Sequence, residues 1–260
     1  MALLRCDFFS EVLEVGTSMT VLLPQASEEQ IGVVSTSSTH RSTSSTSRGD
    51  VPVLYLLHGL SDDCTAWLRY SSIERYAGEH GVAVVMPQVQ RSFYADEAHG
   101  ARFWTFLSQE LPEVVGSFFR VSPRREDTFV AGLSMGGYGA LKWALHHPER
   151  FAAAASLSGA LDIRGLLPER RELFDRVYDG RVGDDDDLFA LLDRHDAADL
   201  PRLYVGCGTE DHLVDGSRQF ADAAQRAGVD VRTDWRPGEH EWGVWDAMVQ
   251  DVLAWLPVRR

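Results

Sequence analysis

Six short apolar runs recur along this chain, and they constrain its fold more than any other feature of the sequence. The runs cover residues 53–57, 82–86, 128–131, 152–157, 202–205 and 231–235, and segments with helical patterning cover residues 64–79, 103–119, 135–146, 217–227 and 244–256. Runs that are apolar throughout are typical of strands covered on both faces. Strands that alternate with helices predict an α/β fold with a mostly parallel central sheet, helices on both of its faces and right-handed crossovers.

The amino-terminal part of the chain predicts a hairpin followed by a flexible loop. Residues 11–15 and 19–23 are short aliphatic segments separated by Gly16-Thr17-Ser18, a pattern typical of an antiparallel hairpin. Nearly every residue from 35 to 47 is Ser or Thr, and such a composition cannot bury enough apolar surface to order itself. We therefore predict one domain over residues 1–260, in which residues 35–47 form a flexible surface loop.

Residues 162–199 separate two predicted strands by far more than an ordinary crossover does. We predict that this segment forms a short lid over the edge of the sheet. It contains Asp184-Asp185-Asp186-Asp187, which lacks the spaced ligands and the glycine of a calcium loop. We interpret the four aspartates as a solvated charge run and expect no metal there.

The charge and the cysteines limit the partners and the compartment. The chain has 39 acidic and 25 basic residues, a net charge of -14, so it should repel nucleic acid and anionic membrane surfaces. No apolar run reaches the length of about 18 residues that a membrane span needs. Cys6, Cys64 and Cys207 fit neither a disulfide framework nor a zinc site, and residues 1–9 lack a signal-peptide pattern, so we expect a cytoplasmic protein. The sequence is compatible with a homo-oligomer and does not determine the oligomeric state.

The sharpest local motif is Gly132-Leu133-Ser134-Met135-Gly136, a G-x-S-x-G sequence between a predicted strand and a predicted helix. A tight turn in this position lifts a nucleophile clear of the sheet, and small flanking residues let the backbone pass without collision. The amino terminus of the following helix directs free N–H groups at the charge that develops during acyl transfer. Ser134 is therefore the predicted nucleophile.

A serine hydroxyl needs a base within about 3 Å, and the base needs a group that orients it. In this hydrolase arrangement the acid and then the histidine follow the nucleophile, each in a loop at the carboxyl end of a strand. The candidates for the acid are Glu210, Asp211 and Asp215, and those for the base are His240, His212, His195, His147 and His146. Helix-end and lid positions disfavour several histidines, but spacing alone does not choose the acid.

The oxyanion formed during acyl transfer needs two convergent N–H donors. One should be the backbone of Met135, directly after the nucleophile. The other should come from the loop His58-Gly59-Leu60 after the first long core strand, and Leu60 N–H is the candidate. His58 precedes the nucleophile, the wrong chain order for a base, so we expect it to brace this loop. Such a mechanism requires neither a metal nor a cofactor.

Taken together, these motifs resemble the putative-esterase family, which includes tributyrin esterases, S-formylglutathione hydrolases, feruloyl and acetylxylan esterases and mycolyltransferases of the antigen 85 type. The resemblance covers about residues 5–256 and is carried by His58-Gly59-Leu60 with Trp67, residues 132–140, Ser156-Leu157-Ser158-Gly159, Gly208-Thr209-Glu210-Asp211 and His240-Glu241-Trp242. It implies an α/β-hydrolase fold, with Asp211 as the acid, His240 as the base and the backbones of Leu60 and Met135 as the oxyanion hole. Phe93-Tyr94 and Glu110-Leu111-Pro112 look nearest to the small bacterial tributyrin-esterase-like members.

The expected function is that of a serine carboxylesterase that hydrolyses short-acyl esters, and thioesters such as S-formylglutathione, through an acyl-enzyme. The alternative is an acyltransferase, because an alcohol or sugar acceptor can resolve the same acyl-enzyme. The charged predicted lid carries its apolar residues only in small groups, which favours acyl chains of roughly two to six carbons. The expected partner is a small-molecule ester or thioester.

Overall fold

Eight strands form one sheet in the computed structural model, which describes residues 1–25 and 50–258. The strands are β1 Ala2–Ser10, β2 Val15–Leu23, β3 Val53–Leu57, β4 Ala83–Pro87, β5 Thr128–Leu133, β6 Ala153–Leu157, β7 Arg202–Gly208 and β8 Val231–Arg236. Their order across the sheet is β1-β2-β4-β3-β5-β6-β7-β8. Strands β3 to β8 run parallel to one another, and β2 joins β4 in the antiparallel direction. The predicted mostly parallel sheet is confirmed, with each of the six runs becoming a strand.

Helices cover both faces of this sheet. They are α1 Ala66–Tyr70, α2 Ile73–His80, α3 Phe103–Thr105, α4 Leu111–Phe118, α5 Met135–His146, α6 Arg171–Tyr178, α7 Leu188–Leu192, α8 Val214–Arg226 and α9 Trp242–Trp255, with a π-helical turn at Phe106–Glu110. Apolar residues of α1, α2 and α9 share one core with Leu54 and Leu56 of β3. Those of α4 to α8 share the other core with Val53 and Leu57. Successive residues of a buried strand thus serve opposite cores, which is why the runs show no polar alternation.

The amino-terminal hairpin exists, but its predicted turn at residues 16–18 is wrong. Gly16 lies within β2, opposite Phe9 of β1, and the chain turns at residues 11–14. The cause is remote in sequence: a carboxylate oxygen of Glu110 accepts a hydrogen bond from the Glu11 N–H at 2.7 Å, and the Ser10 hydroxyl donates to the same carboxylate. This cap on the turn comes from the π-helical turn before α4, 99 positions along the chain, so no local pattern reveals it.

Two predicted helical segments are interrupted. Residues 64–79 divide into α1 and α2, because Ser71 adopts an extended conformation and its hydroxyl donates to the Trp67 carbonyl. Residues 103–119 contain the π-helical turn just before Pro112, which has no N–H to donate to the carbonyl four residues earlier. That carbonyl, of Ser108, instead accepts a hydrogen bond from Arg150 at 2.9 Å.

Residues 162–199 connect β6 to β7 and contain α6 and α7. The predicted solvated charge run within them is only half right. The side chains of Asp184 and Asp185 are 74% and 80% exposed, whereas those of Asp186 and Asp187 are 23% and 9% exposed. Each of the four forms an ion pair, to Arg164, Arg194, Lys142 and Arg164 respectively. Asp186 pairs with a cation outside this segment, Lys142 of α5, and Asp187 pairs with Arg164 within it, and sequence spacing shows neither pairing.

Two further expectations concern the Ser/Thr tract and the membrane. The tract at residues 35–47 lies outside the described residues, so its predicted conformation stays a prediction. Across residues 1–25 and 50–258, no helix has the length and apolar character that crossing a membrane requires.

Candidate active site

Ser134 occupies the turn between β5 and α5 with a strained backbone, at φ 54° and ψ -119°. Its N–H donates to the Leu157 carbonyl at 2.9 Å, which ties the turn to β6. Glycine is required on both sides, because a Cβ on Gly132 would overlap the Gly136 carbonyl and one on Gly136 would overlap the Leu57 carbonyl. A strained non-glycine residue held in this way is typical of a functional position.

His240 follows β8 and reaches back to the turn. Its Nε2 lies 3.0 Å from Ser134 Oγ, and its Nδ1 lies 2.8 Å from Asp211 Oδ2. The ring of Trp245 packs edge-on against the imidazole with 4.8 Å between centroids. With Nδ1–H donated to the carboxylate, Nε2 is free to accept the serine proton.

Asp211 is the one of the three candidate acids that contacts the imidazole. Burial alone would raise the pKa of Asp211, yet hydrogen bonds from His240, the Leu213 N–H and the Ser158 hydroxyl hold it below its usual value. The carboxylate is therefore ionised beside His240. Glu210 is exposed and accepts from the Gly238 N–H at 2.5 Å, and Asp215 pairs with Arg218 on the surface of α8.

The other candidate histidines have different surroundings. His212 lies at the rim, with its ring centroid 4.8 Å from that of His240 and its side chain 59% exposed. His146 Nε2 contacts the Asp185 carbonyl at 2.8 Å, and His147 pairs with Glu149. His195 follows α7, where its backbone N–H donates to the Leu192 carbonyl at 3.3 Å. Among the contacts of the described residues, His240 is the one candidate histidine whose ring reaches the Ser134 hydroxyl.

The loop that carries Leu60 approaches Ser134 closely. A Cβ built on Gly59 would lie 3.7 Å from the Ser134 Cβ and would overlap the Leu133 side chain. The backbone N–H groups of Leu60 and Met135 donate no hydrogen bond to any other described part of the chain. Two unsatisfied donors beside a nucleophile are what an oxyanion hole requires.

His58 braces this loop from inside the protein. Its Nε2 accepts a hydrogen bond from the Val89 N–H at 3.2 Å, so Nδ1 carries the proton and donates to the Gly59 carbonyl at 2.8 Å. Burial lowers the pKa of His58, which keeps the ring neutral in this arrangement. A neutral, fully engaged imidazole has no lone pair left to act as a base.

One cluster of three side chains that could ligate a metal ion occurs in the part of the chain that the structure describes. Ligand atoms of Asp211, His212 and His240 lie within 4.8 Å of one another. Both nitrogens of His240 are already engaged, one with Ser134 and the other with Asp211. A metal at this position would therefore displace the contacts of His240 with Ser134 and Asp211.

Sequence reasoning missed Ser158 as part of this site. It is fully buried, has a positive φ of 48°, and donates through its hydroxyl to Asp211 while Cys207 Sγ lies 3.7 Å from that hydroxyl. The motif Ser156-Leu157-Ser158-Gly159 was a signal, because it follows a core strand at the same edge of the sheet. Burial also raises the pKa of the Cys207 thiol to about 12, so this cysteine is an unreactive neighbour.

Known proteins similar to this chain align with almost all of its length. The profile of a protein family described as "Putative esterase" matches residues 39–256. An acetyl esterase of Caldicellulosiruptor saccharolyticus is 29% identical over 98% of this chain and 98% of its own length. Two solved structures from Staphylococcus aureus each align over 98% of both chains: a fluorophosphonate-binding serine hydrolase (33% identity, TM-score 0.86) and an S-formylglutathione hydrolase (32% identity, TM-score 0.83). The matched region includes Ser134, Asp211 and His240.

Proposed function

The chain belongs to the putative-esterase family and is a serine carboxylic ester hydrolase, and on that premise we propose that it cleaves short-acyl esters with Ser134 as the nucleophile, His240 as the base and Asp211 as the orienting acid. The observation that carries this assignment is the continuous contact from Ser134 Oγ to His240 Nε2, at 3.0 Å, and from His240 Nδ1 to Asp211, at 2.8 Å. An aligned nucleophile, base and carboxylate are a recognised arrangement for serine acyl transfer.

The proposed reaction has two halves. Ser134 Oγ forms a bond to the carbonyl carbon while His240 Nε2 takes the hydroxyl proton, and the N–H groups of Leu60 and Met135 stabilise the oxyanion. The imidazolium then gives its proton to the leaving alcohol as the ester bond breaks, which leaves an acyl-Ser134. Water then attacks the acyl carbon while His240 Nε2 takes its proton, the bond from that carbon to Ser134 Oγ breaks as the imidazolium returns the proton to Oγ, and the carboxylic acid departs. The ionised Asp211 stabilises the imidazolium in both halves.

The proposed preference for short acyl chains rests on how residues 162–199 are fastened to the body. Arg176 of α6 forms an ion pair with Glu97 at 2.9 Å, and its carbonyl accepts from the His99 N–H at 3.0 Å. The apolar residues of α6 and α7 pack into the core, since Phe174, Leu188 and Leu191 are at most 1% exposed. Few apolar side chains of this segment remain to line a long acyl tunnel. The acetyl esterase among the relatives agrees with a small acyl group.

Thioesters form a second substrate class for the same site. A thiolate leaves more readily than an alkoxide and needs less help from the imidazolium, so a site able to release an alcohol also suits a thiol. The S-formylglutathione hydrolase among the similar structures favours this extension, and a formyl group is a short acyl group.

The nucleophile can be tested directly. A fluorophosphonate should label the wild-type protein at Ser134, as found by peptide mass spectrometry, and Ser134→Ala should lose both the label and at least about 10³-fold in kcat on p-nitrophenyl acetate. Ser108→Ala is a matched control, because Ser108 is also buried but donates to the Trp104 carbonyl. Near-full turnover by Ser134→Ala, or a label on another residue, would refute the proposed nucleophile.

We also propose a cytoplasmic location. All three cysteines, Cys6, Cys64 and Cys207, are unpaired, and the latter two are buried. Free thiols persist most readily where the compartment keeps them reduced. Fractionation of cells of the source organism, with the chain detected by immunoblot, should recover it with cytoplasmic markers, and recovery with secreted or envelope markers would contradict the proposal.

A further inference from the structure

The loop between β4 and α3 has an unusual concentration of backbone strain. Gln90, Phe93 and Tyr94 all have positive φ, at 53°, 50° and 52°. Residues other than glycine adopt this conformation rarely and keep it only when their surroundings hold them there. Phe93 is held by the rings of Tyr138 and Phe174, with centroids 6.0 and 5.2 Å away.

Tyr94 links this strained loop to the predicted oxyanion hole. Its side chain is fully buried, and its hydroxyl donates to the His58 carbonyl at 2.8 Å. That carbonyl belongs to the peptide immediately before Gly59-Leu60. The ring lies flush against α5, where a Cβ on Gly139 would overlap it. The phenol therefore fixes one peptide of the loop from a rigid support.

Lys142 of α5 holds the other end of Tyr94. Its side chain is only 2% exposed, and its Nζ donates to the Tyr94 carbonyl at 2.9 Å and to Asp186 Oδ1 at 2.6 Å. The same ammonium lies 4.5 Å from the ring centroid of Trp104. Asp186 is fixed in turn, because the Tyr138 hydroxyl donates to its carbonyl at 2.7 Å. A lysine is almost never buried to this extent without a partner, and removing one charge of such a pair is costly.

We propose that Tyr94 and Lys142 are positioning residues. Asp186 holds Lys142, Lys142 holds the backbone of Tyr94, and the Tyr94 hydroxyl holds the loop His58-Gly59-Leu60, so that the Leu60 N–H stays in place for the oxyanion. This inference rests on the proposed function, since it presupposes attack by Ser134. It assigns Asp186, one of the two inward aspartates, a supporting role: its carboxylate neutralises the Lys142 cation that holds the strained loop.

Tyr94→Phe is the sharpest test, because it removes one hydroxyl and retains the ring. With p-nitrophenyl acetate we expect kcat to fall about 10-fold while KM changes by less than about 2-fold, the pattern of a lost interaction in the transition state. Tyr204→Phe is the matched control: Tyr204 is also fully buried and its hydroxyl donates to Asp234, away from the oxyanion loop. An unchanged kcat in Tyr94→Phe, or an equal fall in Tyr204→Phe, would overturn the inference.

A second readout separates positioning from a general loss of folded protein. Ser134 Oγ adds to the carbonyl carbon of a short trifluoromethyl ketone while the hydroxyl proton passes to His240. The product is a hemiketal whose oxyanion resembles that of the transition state. The Ki of the ketone should rise in Tyr94→Phe by the same factor by which kcat/KM falls, whereas a smaller active fraction would leave Ki unchanged and would overturn the inference.

The role of Lys142 is tested through Lys142→Met and the double variant with Tyr94→Phe. Because both act on one loop, the double variant should lose no more than about 2-fold beyond the worse single variant. Losses that multiply would show independent roles and contradict the proposal. If Lys142→Met does not fold, Asp186→Asn serves in its place with the same expectation. If Ser134→Ala remains active, the proposed function fails first, whereas an inactive Ser134→Ala beside an unimpaired Tyr94→Phe refutes this inference alone.

Discussion

Ser134 and His240 stand 106 positions apart in the sequence, yet the hydroxyl of the first lies 3.0 Å from Nε2 of the second. The parallel sheet produces this contact. Ser134 follows β5, Asp211 follows β7 and His240 follows β8, and parallel strands deliver all three to the same edge. The geometry of the candidate site is therefore a direct consequence of the parallel direction of these strands, with side-chain hydrogen bonds making the final adjustment.

The first prediction distinguishes the two adjacent acids. Asp211→Asn should lower kcat/KM by at least about 10²-fold, because it removes the charge that orients His240 and stabilises its cation. Glu210→Gln is the matched control: it retains an acceptor for the Gly238 N–H and lies on the exposed side of the loop, so a change within about 3-fold is expected. A larger loss in Glu210→Gln than in Asp211→Asn would require the acid to be reassigned.

The second prediction concerns pH and stability. Because hydrogen bonds lower the pKa of Asp211 in the folded protein, its contribution to stability is complete above the unfolded value of about 3.9 and is lost as pH falls through the folded value. The difference in Tm between wild type and Asp211→Asn should therefore shrink as pH falls from about 6 to about 3. Thermal melts across this range check the sign, and a difference that grows on acidification would contradict it.

The third prediction concerns metals. Chelation with EDTA should leave the rate on p-nitrophenyl acetate unchanged, because His240 and two N–H donors complete the mechanism. Added Zn²⁺ should inhibit, since ligand atoms of Asp211, His212 and His240 lie within 4.8 Å of one another. His212→Ala should weaken the inhibition by zinc and keep most of the basal rate. Activity that EDTA abolishes and zinc restores would refute this prediction.

The sequence predicted the sheet well because buried strands leave a simple signature. Six runs correspond to β3 to β8, with ends displaced by no more than a few residues, and five of these strands are buried while β8, at the edge of the sheet, is partly exposed. The turn of the amino-terminal hairpin was misplaced because its cap, Glu110, lies 99 positions from Glu11. The inward position of Asp186 does not follow from the sequence for the same reason, since Lys142 is 44 positions away. Periodicity reports burial and says nothing of which distant charge will be the partner.

The candidate site shows the same division. The motif around Ser134 was identified from its strand and helix, and that context is local. Choosing Asp211 over Glu210 needed the family resemblance, because the two are adjacent and only the folded turn determines which carboxylate faces inward. Ser158, Tyr94 and Lys142 were not recognised as supports, since each acts through a residue remote in sequence.

The last prediction concerns acyl-chain length and the behaviour of residues 162–199. A lipase lid must open to expose an apolar face, but here α6 is held through Arg176 and Glu97 and the aspartate run is held through Lys142. Opening this segment would break a buried ion pair and expose core residues such as Phe174, so we expect it to stay closed.

Across p-nitrophenyl esters from acetate to palmitate, kcat/KM should peak between about two and six carbons, because each methylene left outside the pocket forgoes about 0.8 kcal/mol. The rate should also show no rise when a short ester is taken above its solubility limit. Arg176→Gln loosens the segment without touching Ser134, and a shift of its optimum toward longer chains would support the restraint. A wild-type maximum at eight carbons or beyond, or a jump in rate at an oil-water interface, would contradict both the short-acyl proposal and the closed segment.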